Sequence, residues 1–176
     1  MSHIFHEIDG CVTAPQGFRA GTTACGIKSD GAIQDLAILA SDMPCIAYGM
    51  FTPSSTRAAP VQVCQEHLKS GKSQAVIVNS GNANCATGDV GLFNAYRMTE
   101  LVAAKLQLEN DMVLCSSTGI IGRHLPIDKI EAGVAKIELR ADGGNAFSEA
   151  IMTTDTRPKR IALEFSIDGK TIRLGG

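Results

Sequence analysis

Apolar residues along the chain follow two spacings, and each spacing predicts a different kind of element. Continuous or alternating apolar runs, which are typical of β-strands, are found at 35–41, 45–51, 75–79, 112–116 and 160–174. Apolar residues that recur every three or four positions, as on one face of a helix, are found at 91–108 and 126–138. Shorter helices are predicted at 61–68 and 146–152. Strands and helices interspersed in this way predict an α/β layered domain.

Turn residues between these elements predict how some of them connect. The break at Asp42-Met43-Pro44 separates two apolar runs, which suggests that 35–41 and 45–51 pair as a hairpin. Asp168-Gly169 is a strong hairpin signal within 160–174. Pro60 and Pro126 precede helical patterns, and proline is favourable in the first turn of a helix.

Two of the predicted strands run into polar loops that contain glycine. Ser116-Ser117-Thr118-Gly119 follows one strand, and residues 79–84, which include three asparagines, follow another. Gly119 lets the backbone approach a ligand closely, and such a loop can direct several N–H groups at an anion. Taken alone, each stretch is better explained as an ordinary strand-to-turn junction, where Ser, Thr, Asn and Gly are common.

Length and composition narrow the class of protein. A chain of 176 residues with 44% hydrophobic and 19% charged residues is expected to form one soluble globular domain over 1–176. The net charge of −2 and the scarcity of aromatic residues argue against nucleic acid as a partner. No apolar run is long enough for a membrane span, and the N-terminus does not resemble a signal peptide, so we expect a cytoplasmic protein. The six cysteines lack a CxxC spacing and are expected to be free thiols.

Conventional catalytic patterns are scarce. No HExxH or GxSxG motif occurs, and the histidines lack metal-ligand spacing except for His3 and His6 near the terminus, so no metal site is predicted. His67 is interpreted as a surface residue of a helix and His124 as a polar loop histidine. Cys115 ends an apolar run and is expected to be inert. The residues offer a charge-stabilising loop without an evident nucleophile.

Five short segments in order along the chain together carry a family resemblance. They occupy residues 12–19, 58–61, 79–84, 117–122 and 150–156. In these segments the sequence resembles the α chain of the ornithine acetyltransferase (glutamate N-acetyltransferase) family of arginine biosynthesis. A small departure is Cys85-Ala86, where the family more often has Ala followed by Cys.

The resemblance implies a fold, an activity and three site residues. It implies a sheet sandwich flanked by helices, of the self-processing N-terminal-nucleophile type. It also implies that the protein is made as a precursor, which cuts itself before a threonine. That threonine becomes the first residue of a β chain and, as the nucleophile, carries acetyl from N-acetylornithine to glutamate. Thr118 and Gly119 match the family's oxyanion-hole pair, and Thr153 matches a substrate-binding threonine.

The resemblance also implies partners. The nucleophile and a Lys-Gly motif of the family lie beyond Gly176, so the α chain is expected to need the β chain in a hetero-oligomer, a heterotetramer. No cofactor is expected, although acetyl-CoA as an acetyl donor stays open. Two alternatives also stay open. One is an amide hydrolase or aminopeptidase of similar architecture, in which water replaces glutamate; the other is a small-molecule binding domain that holds an anion with its polar loops.

Overall fold

The computed structural model describes residues 5–176, so His3 lies outside the described residues. Most of the strands belong to a four-stranded sheet. Its members, in spatial order, are β2 (Phe18–Thr23), β3 (Leu36–Ile46), β4 (Lys72–Asn82) and β5 (Val113–Ile120). Strands β2, β3 and β4 pair antiparallel, whereas β5 lies parallel to β4 at the edge of the sheet.

A smaller antiparallel sheet joins the two ends of the chain. It consists of β1 (His6–Ile8), β6 (Ala162–Ile167) and β7 (Lys170–Gly175), with β6 in the centre. Strands β6 and β7 form the predicted hairpin, in which Ile167 pairs with Lys170 around the Asp168-Gly169 turn. The hairpin prediction for 160–174 is therefore confirmed.

Helices cover both faces of the four-stranded sheet. They are α1 (Ala59–His67), α2 (Gly88–Leu106), α3 (Ile127–Lys136) and α4 (Gly144–Ala150). Helices α1, α2 and α3 enclose the main core, where Ile38 and Ile77 of the sheet meet Met98 of α2. Helix α4 packs on the opposite face, where Phe147 joins a smaller core. Because successive strand residues point to opposite faces, neighbours such as Ile77 and Val78 serve different cores. This confirms the predicted α/β layered fold.

The predicted hairpin between 35–41 and 45–51 is wrong. Strand β3 runs unbroken from Leu36 to Ile46 and pairs with β4 along both halves. Its register shifts between Ala40 and Cys45, so the residues around Pro44 form an irregularity within one strand. Proline is tolerated there because the ladder does not need its missing N–H. Residues 47–51 lie outside any strand.

Two further expectations need correction. The segments 79–84 and 116–119 are largely strand rather than loop, since β4 continues to Asn82 and β5 to Ile120. His67 is buried rather than on the surface, and its Nδ1 lies 2.7 Å from the carbonyl oxygen of Val113. Helix α1 packs against β5, and this contact turns the histidine inward.

No helix within residues 5–176 is long and apolar enough to cross a membrane.

Candidate functional site

The site begins where the two parallel strands β4 and β5 end side by side. Ser80 pairs with Thr118, Gly81 with Gly119, and Asn82 with Ile120. Residues distant in sequence are thereby held at adjacent positions by the main-chain ladder. The carboxyl ends of parallel strands are the usual position of ligand sites in α/β sheets.

Gly119 lies in a position that accommodates only glycine. Its φ of +132° is rarely adopted by other residues, and its partner Gly81 has a φ of +100°. A Cβ on Gly119 would lie 2.6 Å from the backbone nitrogen of Asn82 and 2.8 Å from the Cα of Gly81. The close approach that requires glycine is therefore to strand β4, whereas the sequence had suggested an approach to a ligand.

An open cavity of about 1000 Å³ lies over these strand ends. Thr118 and Gly119 line it, and so does Thr153, which follows helix α4. All three residues marked from the sequence therefore face one cavity. Thr118 reaches it from the α4 side of the sheet, because Val113 and Cys115 on the same strand point into the main core.

A loop that the sequence did not single out forms another wall of the cavity. Residues Gly26 to Asp30 line it, and the fully buried carboxylate of Asp35 fixes their backbone. Asp35 accepts hydrogen bonds from the backbone N–H groups of Cys25, Ile27 and Lys28, at 2.7, 2.6 and 3.0 Å respectively. An aspartate directly before a buried apolar run was the sequence signal for this arrangement.

Lys28 places an ammonium group in the cavity wall. Its Nζ donates to the carbonyl oxygens of Gln34, at 3.1 Å, and Ala150, at 3.5 Å. Burial lowers the pKa of Lys28, and the nearby negative charge of Asp35 opposes that effect. The loop thus contributes positive charge close to the strand ends.

The cavity as a whole is lined by more basic than acidic side chains. Among the described residues, Lys28, Arg123 and Lys129 line it, against the single carboxylate of Asp30. His124 also lies on its wall. The chain carries a net charge of −2, so this local excess of positive charge is not a general property of the molecule. A cleft of this kind favours anionic ligands.

The cysteines near the site are not suited to nucleophilic attack in this cavity. Burial, reinforced by the charge of Asp35, raises the pKa of Cys25 to about 12, so its thiol stays protonated. Cys115 is buried in the main core, and its hydrogen bond with Cys64 raises its pKa. The same contact lowers the pKa of Cys64 to about 7, but Cys64 packs against the main core, away from Thr118.

Within residues 5–176, no three His, Cys, Asp or Glu side chains are grouped so that they could hold a metal ion.

Comparison with known proteins gives a consistent result. A family model described as the ArgJ family matches residues 19–176. The arginine biosynthesis bifunctional protein ArgJ of Dehalococcoides mccartyi is 46% identical over 96% of this chain, and that of Bacillus subtilis is 42% identical over 97%. In both cases the match covers 42% of the relative, so the chain spans about two fifths of the length of these curated relatives.

Two solved structures share the fold. The ArgJ protein from Bacillus halodurans superposes with a TM-score of 0.95 at 36% identity, covering 100% of this chain and 93% of that one. Ornithine acetyltransferase from Mycobacterium tuberculosis, solved in complex with ornithine, superposes with a TM-score of 0.89 at 40% identity. That match covers 97% of this chain and 93% of the other.

Proposed function

This chain belongs to the ArgJ family, and from that premise we propose that it is the α chain of an acetyltransferase that moves acetyl from N-acetylornithine to glutamate. Thr118 and Gly119 supply the oxyanion hole, and Thr153 binds substrate. The observation that carries the proposal is the convergence of these three residues on one cavity rich in basic side chains.

The chemistry requires a group that stabilises negative charge. When a nucleophile attacks the acetyl carbonyl, the oxygen becomes an oxyanion, and donors aimed at that oxygen act mainly in the transition state. Gly119 lines the cavity, and Thr118 beside it offers an N–H and a hydroxyl. The basic lining suits the carboxylate groups of the two substrates, one on N-acetylornithine and two on glutamate, but not the side-chain ammonium of N-acetylornithine.

The nucleophile is proposed to be the N-terminal threonine of a β chain made from the same precursor. No described side chain hydrogen-bonds to the hydroxyl of Thr118 or Thr153, so neither has the adjacent base that activates a hydroxyl. The lengths of the relatives support this division. The curated relatives are matched over 42% of their length, whereas the solved chains are matched over 93% of theirs.

The proposed donor agrees with the ligand of one relative. The Mycobacterium tuberculosis structure contains ornithine, which is what remains when N-acetylornithine gives up its acetyl group. Acetyl-CoA as a second donor would supply the same acetyl group without ornithine, and it is a separate arm of the test. An α and β hetero-oligomer, such as a heterotetramer, is the proposed working form.

The test is an acetyl-transfer assay on the complete protein, with N-acetylornithine labelled in its acetyl group in one arm and labelled acetyl-CoA without N-acetylornithine in the other. We expect labelled N-acetylglutamate to form, and mass spectrometry to find a second chain that begins with threonine. Release of labelled acetate without N-acetylglutamate would instead favour the amide hydrolase. Ligand binding with neither product would favour a small-molecule binding domain.

A further inference from the structure

A buried hydrogen bond connects strand β4, which pairs with the strand of Thr118, to helix α4, which precedes Thr153. The hydroxyl of Ser80 on β4 donates to the carbonyl oxygen of Ala150 at 2.5 Å. Ser80 is 0% exposed and Ala150 is 1% exposed, so water does not compete for this contact. Lys28 Nζ reaches the same carbonyl at 3.5 Å. The carbonyl is thus a common anchor for strand β4, the loop that holds Lys28, and helix α4.

The position of Ala150 explains why this carbonyl needs an outside donor. Ala150 is the last residue of α4, and the final carbonyl groups of a helix have no partner within the helix. Ser80 reaches it because it points to the same face of the sheet as Val78, the face on which α4 packs. An unpaired buried carbonyl would be unfavourable, so the contact fixes where the helix ends.

Both ends of this contact lead directly to proposed site residues. Ser80 pairs in register with Thr118 on β5. Ala150 lies three positions before Thr153, which is exposed and lines the cavity. One side chain therefore links the strand pair that presents Thr118 to the segment that presents Thr153.

We propose that Ser80 is a positioning residue, whose hydroxyl sets the separation between Thr118 and Thr153 and thereby the placement of N-acetylornithine against the oxyanion hole. The inference rests on the proposed acetyl transfer. Reacting groups must be held closely, and a displacement of about 1 Å can cost roughly 100-fold in rate. Ser80 acts through Thr153 and does not itself touch the substrate.

The chain offers a matched control on the same strand. Ser73 is also buried on β4, and its hydroxyl donates to the carbonyl oxygens of Met112 and Ala75, at 3.1 and 3.3 Å. It lies at the opposite end of β4 from the cavity. Ser73→Ala and Ser80→Ala therefore delete the same group and break comparable buried contacts, but only Ser80→Ala releases the Thr153 segment.

The experiment is steady-state kinetics on the complete protein with N-acetylornithine and glutamate. We expect Ser80→Ala to lower kcat/KM for N-acetylornithine by about 10-fold to 100-fold, mainly through a higher KM, because binding at Thr153 is disturbed. Ser73→Ala should keep near wild-type kinetics, although both variants lower the urea midpoint. In a double-mutant cycle, Ser80→Ala should add little once Thr153→Ala is present.

Two results would overturn the positioning role. One is Ser80→Ala kinetics that match those of Ser73→Ala. The other is a double variant in which the fold-losses in kcat/KM of the two single variants multiply in full.

Amide hydrogen exchange gives a readout that does not depend on turnover. Exchange at residues 151–154 should accelerate in Ser80→Ala and not in Ser73→Ala, and unchanged exchange would contradict the tether. If the wild-type protein transfers no acetyl at all, the proposed function fails, while hydrogen exchange still decides whether Ser80 holds the segment.

Discussion

Two glycines that face each other across β4 and β5 determine how closely the strand ends approach. Gly81 and Gly119 form an in-register pair, and both have positive φ values. A side chain on Gly119 would meet the backbone of β4 rather than open space. The local backbone is therefore constrained before any ligand is considered.

The first prediction concerns Gly119→Ala. Its Cβ would lie 2.6 Å from Asn82 N, and alanine disfavours a φ of +132°, so we expect a loss of about 2–5 kcal/mol in unfolding free energy. Gly122→Ala is the control, because Gly122 has a φ of +78° but nothing within 4 Å of a built Cβ, and it should lose only about 1–2 kcal/mol. Urea denaturation of the complete protein measures both. Equal losses would show that contact with β4 does not constrain the position.

The second prediction concerns Thr118. We expect Thr118→Ala in the complete enzyme to lower kcat by about 10²–10³-fold with little change in KM for N-acetylornithine, as for a lost oxyanion donor. Ser116→Ala is the matched control on the same face of β5, two positions earlier and exposed, and should be mild. Kinetics with circular dichroism checks the pair. A folded Thr118→Ala enzyme with near-normal kcat would leave only backbone donors in that role.

The third prediction uses the pKa of Cys25, which burial and Asp35 raise from 9.0 to about 12. The unfolded thiol loses its proton near pH 9, whereas the folded thiol keeps it to a higher pH. Stability from this group is therefore complete below about pH 9 and is lost as the pH rises towards 12. Urea midpoints between pH 8 and pH 11 should fall less steeply in Cys25→Ser than in the wild type. Parallel curves would contradict this assignment.

The loop of residues 26–30, which forms one wall of the cavity, depends on the buried side chain of Asp35. Asp35 immediately precedes β3, and its carboxylate accepts hydrogen bonds from the backbone N–H groups of Cys25, Ile27 and Lys28. The backbone of Asp35 also connects neighbouring strands, since its N–H donates to Thr23 O and its carbonyl accepts from Ser80 N. Loop and sheet are thereby joined at one residue beside the site.

The fourth prediction tests this junction with Asp35→Asn. The asparagine amide supplies one acceptor oxygen in place of two, and its NH₂ group lies where backbone N–H groups already point. We therefore expect the free energy of unfolding to fall by about 3 kcal/mol or more. Asp30→Asn is the control, because the carboxylate of Asp30 is exposed and accepts a hydrogen bond from the N–H of Ala32 at the surface. Thermal unfolding of the complete protein compares the two. Similar melting temperatures for the variants would show that the buried carboxylate does not stabilise the loop.

Apolar side chains remain exposed on the chain as a whole. Ile46 at the end of β3 and Tyr48 and Met50 just after it are each 93% exposed. Strand β7 also lies at the edge of the smaller sheet, and strand edges are usually paired or covered. Both features are suited to contact with another chain, which the proposed β chain would supply.

The fifth prediction is that the isolated 176-residue chain does not behave as a stable monomer. We expect its melting temperature and its apparent mass in size-exclusion chromatography with light scattering to depend on concentration. Replacing Ile46, Tyr48 and Met50 together by serine should reduce that self-association, since these side chains are exposed already and support no core. A folded monomer whose melting does not depend on concentration would show that no partner is needed to cover the chain.

Local patterns in the sequence predicted most elements because their signals are short-range. The 3.6-residue rhythm located α2 and α3, and Asp168-Gly169 located the hairpin of β6 and β7. The hairpin expected around Pro44 does not form, because β4 pairs with β3 on both sides of the irregularity. His67 faces inward although its helical position favoured the surface, since packing of α1 against β5 decides its orientation.

The site shows the same division. The family resemblance of short sequence segments predicted Thr118, Gly119 and Thr153 as site residues, because the residues of such a segment keep their order along the chain. Nothing in the sequence showed that Gly119 would crowd β4, that Asp35 would fix the loop of Lys28, or that Ser80 would bind the carbonyl of Ala150. The contacts of Gly119 and Ser80 join residues far apart in the chain, and their distances exist only once the strands have paired and α4 has packed on the sheet. The contact of Asp35 with Lys28 spans a short loop, but it forms only when that loop folds back onto the residue before β3, which no local pattern specifies.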